Sequence, residues 1–134
     1  MATLQEHIQS SQRTGHIEFF IEARSADCVV GRMPIQAGIL NPLGVVQAGA
    51  FVWLADVIAS VLILESQTLD ERGKGFPLAI NLHTSLCGNQ REGDIRAEAR
   101  FVKKGKLVRV IRTRILGTAD KLLAEMTSTH VSAV

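Results

Sequence analysis

Tyrosine is missing from these 134 residues, and other aromatics are scarce, with five Phe and one Trp. That argues against the stacking platform on which single strands are bound, and no nucleic-acid partner is expected. Charge of one sign is lacking too. A net charge of +2, with His neutral, makes too weak a field to draw in a polyanion or an anionic membrane surface. The only cysteines, Cys28 and Cys87, are far apart and have neither CxxC nor Cys/His spacing. The expectation is a pair of reduced, buried thiols in a cytoplasmic protein, with a single disulfide as the alternative. The first dozen residues hold no basic segment leading into an apolar one, so no signal peptide is expected. No repeat, low-complexity stretch or linker interrupts the chain. It reads as one domain over residues 1–134, long enough for a core without staples.

What the chain does have is one long apolar run. Residues 45–64 read VVQAGAFVWLADVIASVLIL, with a single carboxylate, Asp56, in the middle. The length would suit a membrane span, but Gln47 and Asp56 penalise insertion and no basic cluster flanks the run. The reading is a helix from about Gln47 to Gln67 buried in protein, with no membrane partner.

The rest alternates. Ile17, Phe19, Ile21 and Ala23 interleave with charged residues, and residues 28–33 form a second strand before Pro34. After a polar turn at 70–75, Phe76, Leu78, Ile80 and Leu82 alternate with Pro77, Ala79, Asn81 and His83. Ile95, Ala97, Ala99 and Phe101 alternate with Asp94, Arg96, Glu98 and Arg100, one dry and one wet face of an antiparallel strand. Turns at Lys104-Gly105 and at 117–120 introduce strands over 107–116 and 122–131. One helix must therefore cover a sheet of about six strands, an α+β arrangement in which the helix is apolar nearly all round.

A lone carboxylate in such a helix conflicts with local rules, and such conflicts mark candidate sites. Ser60 follows Asp56 by one helical turn and shares its face. The helix N-terminus, with the amides of about Gln47 through Ala50, suits a developing oxyanion, and Asn41 ahead of it adds a side-chain donor. Yet Ala48 and Asp56 lie about 12 Å apart along the axis, whereas reacting groups must converge to about 3 Å. Two antiparallel copies would solve this, each site taking amides from one subunit and the carboxylate from the other. Chemistry here predicts a dimer.

The stretch NPLGVVQAGAFVWLAD resembles the signature of hot-dog-fold acyl-CoA thioesterases, an Asn/Gln-containing loop, a Gly, His-Gly-Gly and then an acidic residue on the helix. It is similar to the phenylacetate-pathway and 4-hydroxybenzoyl-CoA thioesterases of that superfamily. The segments NLHTSL and EGDIRAEARFVKKG resemble the same group, and the likeness runs over roughly residues 30 to 132. It implies a hot-dog fold, an antiparallel sheet of five or six strands wrapped around one central helix. It also implies a homodimer, often paired into tetramers, and an acyl-CoA or aryl-CoA thioester as substrate. No metal or prosthetic group is implied, coenzyme A being part of the substrate.

By the same resemblance, Asp56 is the catalytic carboxylate, acting as nucleophile or as general base. The amide of Ala48 polarises the thioester carbonyl, Asn41 is the loop amide residue and Ser60 orients the hydrolytic water. Lys103, Lys104 and Lys106, around a glycine turn, are candidates for the phosphates of coenzyme A, and His83 is a further substrate-binding candidate. His-Gly-Gly is replaced by Gln47-Ala48-Gly49. That departure motivates the alternative of a non-catalytic acyl-CoA-binding dimer. A hydratase on this fold would need a His paired with the Asp, and no His follows Asp56 on the helix.

Bland readings stand beside these. Asp56 can be a capped structural carboxylate, Ser60 a small packing residue, Gly49 an aid to helix packing and Asn41 a turn residue before Pro42. His7 and His16 read as surface residues. His83 and His130 sit on strands without metal-ligand spacing.

Overall fold

The computed structural model describes residue 3, residues 5–6, residues 17–65 and residues 75–132. Within them the chain runs β1 (Phe20–Arg24), β2 (Cys28–Pro34), α1 (Ala48–Leu64), β3 (Pro77–Leu86), β4 (Asp94–Lys104), β5 (Val108–Leu116) and β6 (Leu122–Ser132). The six strands form one antiparallel sheet in the order β1-β2-β4-β5-β6-β3. Short turns make neighbours of β4, β5 and β6, while β3, which follows the helix, closes the far edge against β6.

Intrinsic propensity does not make α1. Val52, Val57, Ile58, Val61 and Ile63 are β-branched, a poor choice for an isolated helix. Burial holds it instead: Phe51, Leu54, Ala55, Ile58, Ala59, Leu62 and Ile63 are buried against the sheet. The larger of these side chains contribute about 1.5–3 kcal/mol each. The sheet supplies Val29, Met33, Ile95, Ala97, Ala99, Ile111, Ile115 and Met126 to the same core.

Gly31 of β2 is where helix and sheet meet most closely. A Cβ there would lie 2.3 Å from Ile58 Cδ1 and 2.8 Å from Cγ1. Ile58 is fully buried, so making way would force its side chain to repack within the core. Gly31→Ala is expected to cost about 1–3 kcal/mol by overpacking; an unchanged urea midpoint would show that α1 can shift at no cost.

Three sequence expectations are corrected. The first strand starts at Phe20 rather than Ile17, because Glu18 exchanges its backbone N–H and C=O bonds with the Gln36 side chain instead of a strand. The thiols were expected to be buried. Both are free, but Cys28 is only half-buried and Cys87 is exposed just beyond β3. The third correction is β3, whose apolar side chains stay uncovered. Phe76, Leu78, Ile80 and Leu82 are exposed, and Pro77 is the buried residue. A bulge at Ile80 also breaks the simple alternation.

The helix starts at Ala48, one residue later than expected, and ends at Leu64 with Glu65 as its cap. Gln67, His7, His16 and most of the polar turn at 70–75 lie outside the described residues.

Candidate active site

The loop before α1 is built to present the helix tip. Asn41 Oδ1 accepts the amides of Leu43 (2.9 Å) and Val45 (3.2 Å), which closes an Asx turn through Pro42 and Gly44. Gly44 has φ +82°, a backbone state that suits glycine. Asn89 then clamps the loop from a distance: its Oδ1 accepts from Val46 N at 3.0 Å and its Nδ2 donates to Val46 O at 2.9 Å. Arg91 Nη1 donates to Leu43 O at 2.8 Å.

Not all four amides expected at the tip are available. Gln47 N donates to Ile39 O, and Ala50 N donates back to Gln47 O. Ala48 and Gly49 are left with N–H groups that meet no acceptor among the described residues. No side chain caps this end and no acidic residue lies in the first turn, so the positive end of the helix dipole is uncompensated. Gly49 is exposed, and a Cβ added there would meet nothing within 4 Å. Packing inside the protomer therefore does not explain the glycine. The tip opens on an apolar pocket of about 260 Å³ lined by Ile39, Ala50 and Trp53 among others, with Trp53 held edge-on to Phe19.

Asp56 and Ser60 both line a cleft of about 440 Å³, whose other walls are Val57, Val61, Leu64 and residues 76–79. The carboxylate is half-buried, and its Oδ1 is buried with no hydrogen-bond partner among the described residues. Among the described residues no donor caps that oxygen.

No protein-family model and no curated protein matches the sequence, but solved structures match the fold. A mutant thioesterase enzyme from Staphylococcus aureus superposes with a TM-score of 0.82 at 21% identity, covering 88% of this chain and 95% of its own. A thioesterase from Haemophilus influenzae gives 0.78 at 23%, covering 98% of this chain and 91% of its own. A phenylacetic acid degradation-related protein of Ralstonia eutropha gives 0.75 at 23%, covering 84% and 83%. The chain has the hot-dog fold.

Within this hot-dog fold the helix tip and the Asp56 cleft face opposite ends of the sheet. The tip lies near Leu86, Asp94 and Leu122, where β3 ends and β4 and β6 begin. The carboxyl end of α1 reaches the other border, where Glu65 pairs with Arg24. Lys103, Lys104 and Lys106 belong to this second border, in the hairpin that joins β4 to β5, and Lys104 Nζ sits 5.1 Å over the Phe101 ring. His83 is exposed on β3, opposite Thr127, and does not line the cleft. One protomer thus joins Asp56 with Ser60 but not with Ala48, Gly49 or His83.

Sequence reasoning missed Asn89, Arg91 and His130. Asn89 lies 43 residues from its partner, in a polar stretch legible only as loop. His130 of β6 is fully buried, with Nε2 at 2.8 Å from Ser128 Oγ. Burial pushes the His130 imidazole below the usual histidine range, and the Asp56 charge works against that shift. The unfolded chain takes up this proton near pH 6.5 and the folded one only at lower pH, so stability is full above about pH 6.5 and falls as pH drops toward the folded value. His130→Gln should flatten the loss between about pH 7 and pH 5, measured by urea unfolding at each pH; an unaltered slope would remove His130 as its source.

Among the described residues no helix is long and apolar enough to cross a membrane, and no cluster of three His, Cys, Asp or Glu could hold a metal ion.

Proposed function

We propose that this protein hydrolyses an acyl-CoA or aryl-CoA thioester to the free acid and coenzyme A, at sites shared between two copies of the chain. One observation carries the reading. A helix tip with two unused amides and a carboxylate facing an apolar cleft lie on one helix, about 12 Å apart, on a fold also found in thioesterase structures. In the proposed site the amides of Ala48 and Gly49 stabilise the oxyanion, with the side chain of Asn41 beside them. Asp56 of the opposing subunit attacks the carbonyl or activates water, and Ser60 orients that water. No prosthetic group takes part.

The free edge of β3 supports the second copy. Its ten residues, Pro77–Leu86, include no Lys, Arg, Asp or Glu. Leu78 is 47% exposed, Ile80 61% and Leu86 57%. A long apolar edge without a guarding charge is a surface for strand pairing. A two-fold pairing along β3 would run the two α1 helices antiparallel, tip toward carboxylate. It would also bring the Lys103–Lys106 hairpin of one subunit toward the tip of the other, suiting the phosphates of coenzyme A.

Thiol release across a panel of aliphatic and aromatic acyl-CoAs tests the reading, and turnover of at least one class is expected. The Ala48 methyl group at the tip favours a second reading, an acyl-CoA-binding dimer that does not cleave. Calorimetry showing tight binding of intact thioester with no thiol released would select it.

A further inference from the structure

One ionisable side chain outside the proposed machinery is buried on the sheet face that α1 covers. His130 lies opposite Ala79 of β3 and Arg109 of β5, and Ala79 lines the same cleft as Asp56. Among the described residues the buried ring Nδ1 meets no partner, and neither does Asp56 Oδ1. The two atoms do not bond directly, and a water between them would satisfy both. Ser128 can donate its hydroxyl proton to Nε2, which leaves the proton of the neutral ring on Nδ1.

We propose that His130 is a positioning residue for Asp56: neutral and protonated at Nδ1, it donates that N–H to a water shared with the carboxylate and so fixes its orientation over the cleft. The proposal rests on Asp56 as the reacting carboxylate of the proposed hydrolysis. Burial keeps the ring neutral, and the Asp56 charge, which opposes that shift, acts on the ring across the space between them. The other charged groups facing His130 are cationic. Arg109 on β5 donates from Nη1 to Ser132 Oγ at 3.0 Å, and Lys104 on β4 pairs with Arg109 in the register. From β3 the neighbours are Pro77 and Ala79, which do not titrate.

The decisive measurement is the His130 imidazole titration by NMR in wild type and Asp56→Asn. The midpoint should fall by about one pH unit when the charge is removed. Equal midpoints would overturn the proposal, whether or not the protein hydrolyses thioesters. Hydrolysis supplies a second readout. His130→Gln and Ser128→Ala should each lower kcat about tenfold, with KM within about twofold and the acid limb of the pH profile displaced. Wild-type kcat and pH profile in both would also overturn it. If His130→Gln fails to fold, Ser128→Ala keeps the ring in place and carries the kinetic arm. If wild type cleaves no thioester, the proposed function falls while the NMR comparison still decides the pairing.

Discussion

Replacing Asp56 by Asn should abolish most thioester hydrolysis and leave the protein at least as stable as wild type. The two effects have one origin. Asp56 Oδ1 is buried with no direct hydrogen-bond partner among the described residues, and an unmet acceptor of this kind costs about 1–3 kcal/mol. Asn keeps the shape of the side chain and removes the charge, so the desolvation cost shrinks. The reaction loses its nucleophile or base, worth about 10²–10⁴ in kcat for a positioned proton acceptor. KM should stay within about threefold, because the cleft walls and the helix tip are untouched. Steady-state thiol release with a melting curve for each protein checks both halves. A wild-type rate would remove Asp56 from the mechanism. A lower melting temperature would mean that the carboxylate charge stabilises the fold.

The second large effect is complementation. Gly49→Val fills the open space at the helix tip without touching the protomer's own core, so it should fold and be inactive. Asp56→Asn is inactive for the opposite reason. Co-expressed, the two chains form heterodimers in which one site has an intact tip and an intact carboxylate, and the other has neither. Random pairing should restore about a quarter of wild-type activity. No recovery in verified heterodimers would mean that tip and acid do not act across an interface, and the 12 Å gap inside one helix would then rule out their joint action.

Much of the architecture was legible because it depends on local rules. Alternation of Ile95, Ala97 and Ala99 with charged neighbours marks β4, and all three are buried. The apolar run marks the helix that covers the sheet, which ends at Leu64. The i to i+4 spacing puts Asp56 and Ser60 on one cleft, a consequence of helical geometry alone.

Where competition between partners decided, the sequence was mute. Four amides are orphaned at any helix start, but only the bonds from Gln47 N to Ile39 O and from Ala50 N to Gln47 O reduce the free ones to Ala48 and Gly49. Alternation in β3 reads as a half-buried strand, yet its place at the sheet edge leaves Leu78 and Ile80 uncovered. Burial depends on what covers a face, which periodicity does not encode.

By itself, then, the sequence determined the order of elements, the single covering helix and the carboxylate in its middle, because each follows from spacing within about twenty residues of chain. Tertiary structure alone decided that Asn89 clamps the loop before that helix and that His130 is buried beneath it. Val46 lies 43 positions from Asn89, and only strand pairing and loop packing bring such residues into place.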